Sequence, residues 1–244
     1  MYPQTHVYFA EKVLGKMNDA VALGSIFPDM AIGAGVNRDL SHGSGLEILK
    51  FLESSHQLRD FALANITHGV NPSGLDYYGD EKNPPCERGY CFEKGRILVE
   101  PTIRACNLPE EMGWWKSHNI IEMGIEMRVS TGGNYGRYLY EAFQNKNLVE
   151  EICDRLGAFF GRGFQPFLQR LSNFPSYIDL SASTAESLAA KYDYQMYYKH
   201  RIHINVAEVA KLISLAAEVV EDDIDEFFRS VTGKVKDLLS IHDG

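Results

Sequence analysis

One stretch of the sequence decides the fold class: residues 206–220 read VAEVAKLISLAAEVV. Its apolar residues recur at intervals of three and four, the spacing that places side chains on one face of an α-helix. The same rhythm covers most of the chain, which contains no convincing β-alternation and no internal repeat. The sequence therefore predicts an all-α fold. Further helices are expected over residues 6–17, 110–129, 149–171 and 188–198, and in a stretch ending at His68.

Local signals mark where several of these helices begin and end. Thr5 is a plausible N-cap of the first helix, and residues 183–186, STAE, match a capping box. Gly69 ends the helix that precedes it. Residues 69–95 carry prolines and glycines that break any long helical period, so they predict a long loop.

Size and helix pattern also suggest how the chain is organised. With 244 residues, it can bury a core without cross-links. We expect residues 1–135 to form a metal-binding helical region that contains the long loop. Residues 136–244 are expected to form a helical extension packed on it, so that the two make one compact unit.

The charge balance argues against some classes of partner. Thirty-three acidic residues face 24 basic ones, which gives a net charge of -9. Nonspecific attraction to nucleic acid or anionic lipid is therefore unfavourable over most of the surface. Neither a signal peptide nor an apolar run of about 18 residues is evident, so we expect a cytoplasmic protein without a transmembrane segment.

The four cysteines are too few and too irregularly spaced for a disulfide framework. Cys86 and Cys91 could form half of a zinc knuckle, but Cys106 and Cys153 do not repeat their spacing. Reduced thiols are the preferred interpretation.

The strongest local signal for chemistry is the pair His118 and Glu122 on the predicted helix 110–129. An interval of four residues places an imidazole and a carboxylate on one face, where both could hold the same metal ion. A solvent-exposed pair is the alternative. The apolar neighbours Ile120 and Ile121 favour a buried setting, in which a charge needs a partner.

Two further features lie earlier in the chain. In residues 24–29, GSIFPD, we expect a helix to break, with Pro28 fixing the backbone and presenting Asp29. Asp29 could equally cap a turn. Histidines are concentrated in the first half of the sequence. Taken alone, any one histidine is usually a surface residue or a core residue with satisfied hydrogen bonds. These histidines are His6, His42, His56, His68 and His118.

Taken together, these pieces resemble a known family. They are Thr5-His6 at a helix start, the turn at residues 24–29, His42, Thr67-His68 at a helix end, and the His118 and Glu122 pair. Their order is similar to that of zinc-dependent phospholipase C and S1/P1 nuclease-like proteins, especially the compact prokaryotic zinc-dependent phospholipase C domain. The resemblance covers roughly residues 1–130.

The resemblance implies a multi-helical bundle that holds one to three divalent ions through His, Asp and Glu side chains. Such donors suit zinc, and also iron, manganese or nickel. By resemblance, one ion would be held by Asp29, His42 and His68, a second by His118 and Glu122, and a third, or whichever site lies nearest, by His6.

The sequence departs from the family at three ligand positions. Members that bind three ions often use the free amine of a processed N-terminus, whereas this sequence begins with Met1. Members usually carry an Asp four residues after the position of His68 and then a further His, whereas here these slots fall in residues 69–74, GVNPSG. Asp76 could replace that bridging carboxylate through a shifted loop.

The function implied is metal-dependent phosphoester hydrolysis, with Asp29 as both a ligand and the candidate general base. The substrate would be a phosphodiester, a phospholipid-like head group or a small soluble phosphoester. His200 and His203 could bind substrate phosphate, although a solvated basic patch is preferred. Aromatic residues of the loop could line a pocket or pack the loop onto the body; these are Tyr77, Tyr78, Tyr90 and Phe92.

Two rival functions stay open at this point. An HD-type metal phosphohydrolase would need an adjacent His-Asp pair, which occurs here at His242-Asp243. A non-enzymatic helical interaction protein could carry a degenerate or structural metal site. An open coordination position would distinguish the enzyme from the interaction protein. The sequence leaves the oligomeric state undetermined.

Overall fold

The computed structural model describes residues 1–242, with the side chains of all of these except His56, Gln57, Tyr177 and His242. The chain is 76% helical, and the described residues form fourteen α-helices and no strand. This confirms the all-α prediction. The predictions on His56 and on the His242-Asp243 pair lie outside the described side chains.

The first seven helices are α1 (Pro3–Leu14), α2 (Asp19–Gly33), α3 (Arg38–Gly43), α4 (Gly45–Phe51), α5 (His56–His68), α6 (Tyr90–Gly95) and α7 (Val99–Cys106). The other seven are α8 (Gly113–Thr131), α9 (Tyr135–Gln144), α10 (Lys146–Phe159), α11 (Phe164–Asn173), α12 (Ala185–His200), α13 (Val206–Val219) and α14 (Ile224–His242). Short helical turns add a π-helix at Tyr77–Glu81 and 3-10 segments at Arg96–Leu98, Glu110–Met112 and Phe174–Tyr177.

Two large apolar cores hold the helices together, and α1 lies between them. One core surrounds α8 and draws on α6, α7 and α12–α14. The other surrounds α2 and draws on α5 and α9–α11. Phe9 of α1 belongs to the first core and Val7 to the second. Each core combines residues from both sides of residue 135.

The start of α1 differs from the prediction. The helix begins at Pro3, where a fixed φ and a missing N–H are tolerated. Its N-cap is Tyr2, and Thr5 lies inside the first turn. The prediction that Thr5 is the N-cap was therefore wrong. Its hydroxyl instead donates a hydrogen bond to Glu126 on another helix.

The predicted break in residues 24–29 was also wrong, because α2 continues through Pro28 to Gly33. An interior proline costs about 3 kcal/mol in an isolated helix. Most of α2 is buried, from Ala20 to Ala31, so tertiary packing offsets that cost. Asp29 is consequently presented by a helix rather than by a turn.

Several other helix boundaries differ from the predicted ones. The capping box before α12 lies one residue later than predicted, with Thr184 as N-cap and Ser187 completing it. The single helix expected over residues 149–171 is divided into α10 and α11. Gly161 and Gly163 separate these two helices, both with positive φ. The loop of residues 69–95 contains the π-helix and α6.

Two glycines allow helix backbones to lie close together next to the candidate ligand residues His42 and His68. A Cβ atom at Gly24 would collide with the carbonyl oxygen of Phe61, so glycine lets α2 lie directly against α5. A Cβ atom at Gly69 would stand 2.6 Å from the carbonyl oxygen of His42. That same oxygen accepts a hydrogen bond from the N–H of Val70 at 2.8 Å. The ends of α3 and α5 are thereby held together.

Among the described residues, no helix combines the length and the apolar character needed to span a bilayer.

Candidate metal centre

His68, the last residue of α5, is oriented by a backbone group of α2. Its Nδ1 lies 2.7 Å from the carbonyl oxygen of Ser25, which can only accept a hydrogen bond. Nδ1 therefore carries a proton, and Nε2 faces the Asp76 Oδ2 atom at 3.3 Å. Burial favours a lowered pKa, but the Asp76 carboxylate raises the pKa of His68 above its ordinary value.

Asp29 and His42 face His68 from α2 and α3. Nε2 of His42 lies 3.5 Å from Oδ1 of Asp29, and its Nδ1 lies 2.8 Å from the hydroxyl of Ser41. Burial favours a raised pKa, yet the His42 hydrogen bond and the His68 charge lower the pKa of Asp29 below its usual range. The Asp29 side chain is 42% exposed, so the cluster meets solvent there.

Asp76, which immediately precedes the π-helix, lies among four basic groups. Its Oδ1 is 3.5 Å from His6 Nε2 and 3.0 Å from the amino group of Met1. Its Oδ2 is 3.5 Å from His42 Nε2 and 3.3 Å from His68 Nε2. Asp76 thus lies between the ligand candidates, where the sequence analysis had suggested a bridging carboxylate.

His6 of α1 is buried, and its ring stacks on that of His68 at a centroid distance of 3.6 Å. Neither of its ring nitrogens has a hydrogen-bond partner among the described residues. Burial, and then the charge of His68, lowers the pKa of His6 well below its ordinary value. A neutral imidazole without a hydrogen-bond partner suits a metal ligand, because buried polar atoms otherwise find partners.

A second region of the cluster forms where the π-helix meets α8. Asp80, His118 and Glu122 are buried, and their candidate ligand atoms lie within 4.8 Å of one another. Burial lowers the pKa of His118 to about 4, and its ring stacks on Phe92. The amide nitrogen of Asn119 lies 3.0 Å from His118 Nε2 and 3.2 Å from Glu122 Oε2, which ties these two side chains together.

The amino group of Met1 joins the two regions. It lies 3.0 Å from Asp76 Oδ1 and 3.0 Å from Glu122 Oε1. Burial alone would lower the pKa of this amine, but the carboxylates of Asp76 and Glu122 raise the pKa well above its ordinary value. Met1 was expected to depart from the family, whose members often use a processed N-terminal amine as a ligand. In the structure, the amino group of Met1 lies inside the cluster.

Negative charge exceeds positive charge in this buried region. The pKa values of Asp29, Asp76 and Glu122 are lowered by neighbouring bases against the effect of burial, which leaves these carboxylates ionised. Burial and the Glu122 carboxylate raise the pKa of Asp80 well above its usual range. Buried charges require partners, and divalent cations among these donors would supply them.

Three groups of side chains could each hold a metal ion. All seven residues named by the sequence analysis belong to them, so the predicted spatial convergence is present, while their role as ligands stays a prediction. The groups are His6, His68 and Asp76; Asp29, His42 and His68; and Asp80, His118 and Glu122.

Sequence reasoning missed Asp80. Asp76 and Asp80 repeat the interval of four residues seen at His118 and Glu122, but the α-helical rule for that interval does not apply to a segment that predicts a loop. The prolines and glycines of residues 69–95 predict a loop there, so the interval carries no helical signal.

Other candidates lie apart from the cluster. His200 contacts Lys116 at 2.9 Å, and His203 pairs with Asp193 at 3.2 Å. Tyr90 stacks on Phe227 at 4.3 Å and packs its segment onto α14. All four cysteines are free thiols, as the preferred interpretation held.

The fold and this cluster define an all-helical protein with a candidate metal centre. No model of a known protein family, no curated protein and no solved structure matches this chain. The resemblance to zinc-dependent phospholipase C and S1/P1 nuclease-like proteins is therefore carried by the residues quoted above, and it stays a prediction.

Proposed function

We propose that this protein is a metal-dependent hydrolase that cleaves a phosphoester, either a phosphodiester or a phospholipid-like head group. One observation carries the proposal: imidazole and carboxylate atoms from α1, α2, α3, α5, α8 and the π-helix converge in a buried cluster. Several of these atoms have no hydrogen-bond partner within the described structure, including both ring nitrogens of His6 and Oδ1 of Asp80. Such a donor set fits one to three divalent ions, with zinc the first candidate.

Bound divalent ions would lower the pKa of a coordinated water and offset charge on a phosphoryl group. The chain itself contributes orientation and proton transfer. Ser25 fixes the tautomer of His68, and Ser41 contacts His42, so both imidazoles present Nε2 to the cluster. Asp29 is ionised and reaches solvent, so we propose it as the general base. A carboxylate with a lowered pKa is a weak base, so this role requires a bound metal ion that lowers the pKa of the attacking water.

The experiment begins with elemental analysis of protein purified without added metal, followed by a screen of generic phosphodiester and phosphomonoester substrates. Asp29→Ala and Glu122→Ala should each lower metal content and turnover, since each removes a carboxylate from the cluster. Asp154→Ala, at an exposed position of α10, is the control and should change neither. Full activity in both cluster variants would refute the proposal.

A non-enzymatic interaction protein with a structural metal site is the second candidate. It is favoured by the burial of the cluster, where Asp29 is the one ligand candidate with a substantially exposed side chain among the described residues. Cobalt-substituted protein distinguishes the two. Inorganic phosphate should change the cobalt absorption spectrum if a coordination position is open, and should leave it unchanged in a closed structural site.

A further inference from the structure

The first turn of α1 is capped by a residue of another helix. Pro3 has no N–H, and the N–H of His6 already bonds to the carbonyl oxygen of Tyr2 at 3.2 Å. The N–H groups of Gln4 and Thr5 are thus the donors that a helix start leaves without an intrahelical partner. Within the described chain, the side chain of the N-cap Tyr2 does not take them up.

Glu126 of α8 accepts both of these donors. Its Oε1 lies 2.9 Å from the N–H of Gln4, and its Oε2 lies 2.8 Å from the N–H of Thr5. The Thr5 hydroxyl donates a third hydrogen bond to Oε2 at 2.7 Å. An acidic group at a helix N-terminus also interacts favourably with the helix dipole. These hydrogen bonds offset part of the desolvation of the buried carboxyl group, and burial still raises the pKa of Glu126 above its ordinary value.

The cap lies beside the candidate metal centre on both helices. Glu126 follows Glu122 by one turn of α8, and Thr5 directly precedes His6. The His6 ring receives no hydrogen bond from any described residue, so its orientation depends on the α1 backbone, on ring stacking with His68 and on the contact with Asp76 Oδ1 at 3.5 Å. Whatever holds the first turn of α1 against α8 therefore holds His6 among the other ligand candidates.

From these contacts we infer that Glu126 is a positioning residue of the metal centre, which keeps His6 in place by capping α1 from α8. The inference rests on the proposed function for the existence of the centre. Residues that orient metal ligands typically change metal affinity by about 10- to 100-fold when they are replaced. Glu126→Gln, which removes the charge and one acceptor oxygen, should weaken the binding of one ion to this extent.

The test measures zinc per chain and zinc affinity for the wild type, Glu126→Gln, His6→Ala and the double variant. If Glu126 acts through His6, Glu126→Gln weakens zinc binding in the wild type and adds little in the His6→Ala background. Equal weakening in both backgrounds, or wild-type affinity in Glu126→Gln, would overturn the inference. The cobalt absorption spectrum supplies a second readout, because loss of an imidazole ligand changes it and a general loss of stability does not.

Three further variants serve as controls for this test. Thr5→Val removes one of the three hydrogen bonds and should give a smaller effect in the same direction, whereas Thr5→Ser should restore wild-type affinity. Ser130→Ala is the matched control, because Ser130 lies one turn beyond Glu126 and accepts from the N–H of Ser183 at 2.9 Å. It should lower stability without changing zinc affinity.

These outcomes separate the inference from the proposed function. Wild-type protein that binds no divalent ion would overturn both. Zinc binding that depends on Glu126 without hydrolysis of any substrate would overturn the hydrolase alone. Zinc binding and hydrolysis that are indifferent to Glu126 and Thr5 would overturn the positioning role alone.

Discussion

The group formed by Asp80, His118 and Glu122 differs in its donor atoms from the other two groups of the cluster. Its group contains one imidazole and two carboxylates, whereas each of the other two contains two imidazoles and one carboxylate. Oxygen donors suit manganese and magnesium better than imidazole does. If it binds metal, the candidate centre could therefore combine a zinc-like region with a region that accepts harder ions.

Asp80→His tests this difference. The variant should take up more zinc and less manganese than the wild type when both ions are offered, because nitrogen replaces oxygen in one group. Elemental analysis and the manganese EPR signal provide the measurement. Glu81→His, at the neighbouring and partly exposed position, is the control. An unchanged ratio of manganese to zinc in Asp80→His would contradict this assignment.

The cysteines permit a test of the packing around single residues. Cys86 is exposed, while Cys91, Cys106 and Cys153 are buried. Burial raises the pKa of Cys106 and of Cys153 to about 12, which suppresses the reactive thiolate. We expect a thiol reagent to label one cysteine in the native protein and four after unfolding, as counted by mass spectrometry. Rapid native labelling of Cys153 would contradict the described core.

At the scale of elements, the contact between α2 and α5 supports one side of the cluster. Gly24 permits this contact, and the carbonyl oxygen of Ser25 orients His68 from the next position along α2. A side chain at Gly24 would push the two helices apart. Helix packing and ligand orientation are therefore coupled at this point.

Gly24→Ala should destabilise the protein by about 1–3 kcal/mol, because the added methyl group meets the backbone of Phe61. Urea unfolding measures the loss, and zinc affinity should fall with it. Gly233→Ala is the control, since a Cβ there meets no described atom within 4 Å and alanine favours a helix interior. Equal stability of the two variants would argue against the close approach.

At the scale of the whole molecule, the cluster joins elements that are distant in sequence. The ionised carboxylates of Asp29, Asp76 and Glu122 come from three separate segments, so cations among them would hold those segments together. Ligand binding to the native state stabilises it by about 2.7 kcal/mol when the free ion exceeds its dissociation constant 100-fold. If the cluster holds metal ions, metal content and global stability would therefore be linked.

Removal of metal with a chelator should accordingly lower the free energy of unfolding, and added zinc should restore it. Thermal unfolding followed by circular dichroism measures both steps. His118→Ala should show a smaller response to zinc because one group has lost its imidazole. Identical unfolding of chelated and zinc-loaded wild type would contradict a metal centre that spans these segments.

The helical class could be read from the sequence because apolar spacing at three and four residues is a local property, and burial of such a stripe requires a helix. The same local rule placed His118 and Glu122 on one face of α8, but it does not extend to Asp80, whose segment predicts a loop and forms a π-helix. Pro28 shows where local rules fail, since the burial of α2 outweighed the preference of proline to end a helix.

Only the tertiary structure decided which of these groups meet. The position of Asp76 among His6, His42 and His68 depends on how α1, α3 and α5 pack around the segment that precedes the π-helix. The cap that Glu126 places on α1 joins residues more than 120 positions apart. Contacts over such separations arise from the packing of the two cores, and no short-range periodicity encodes them.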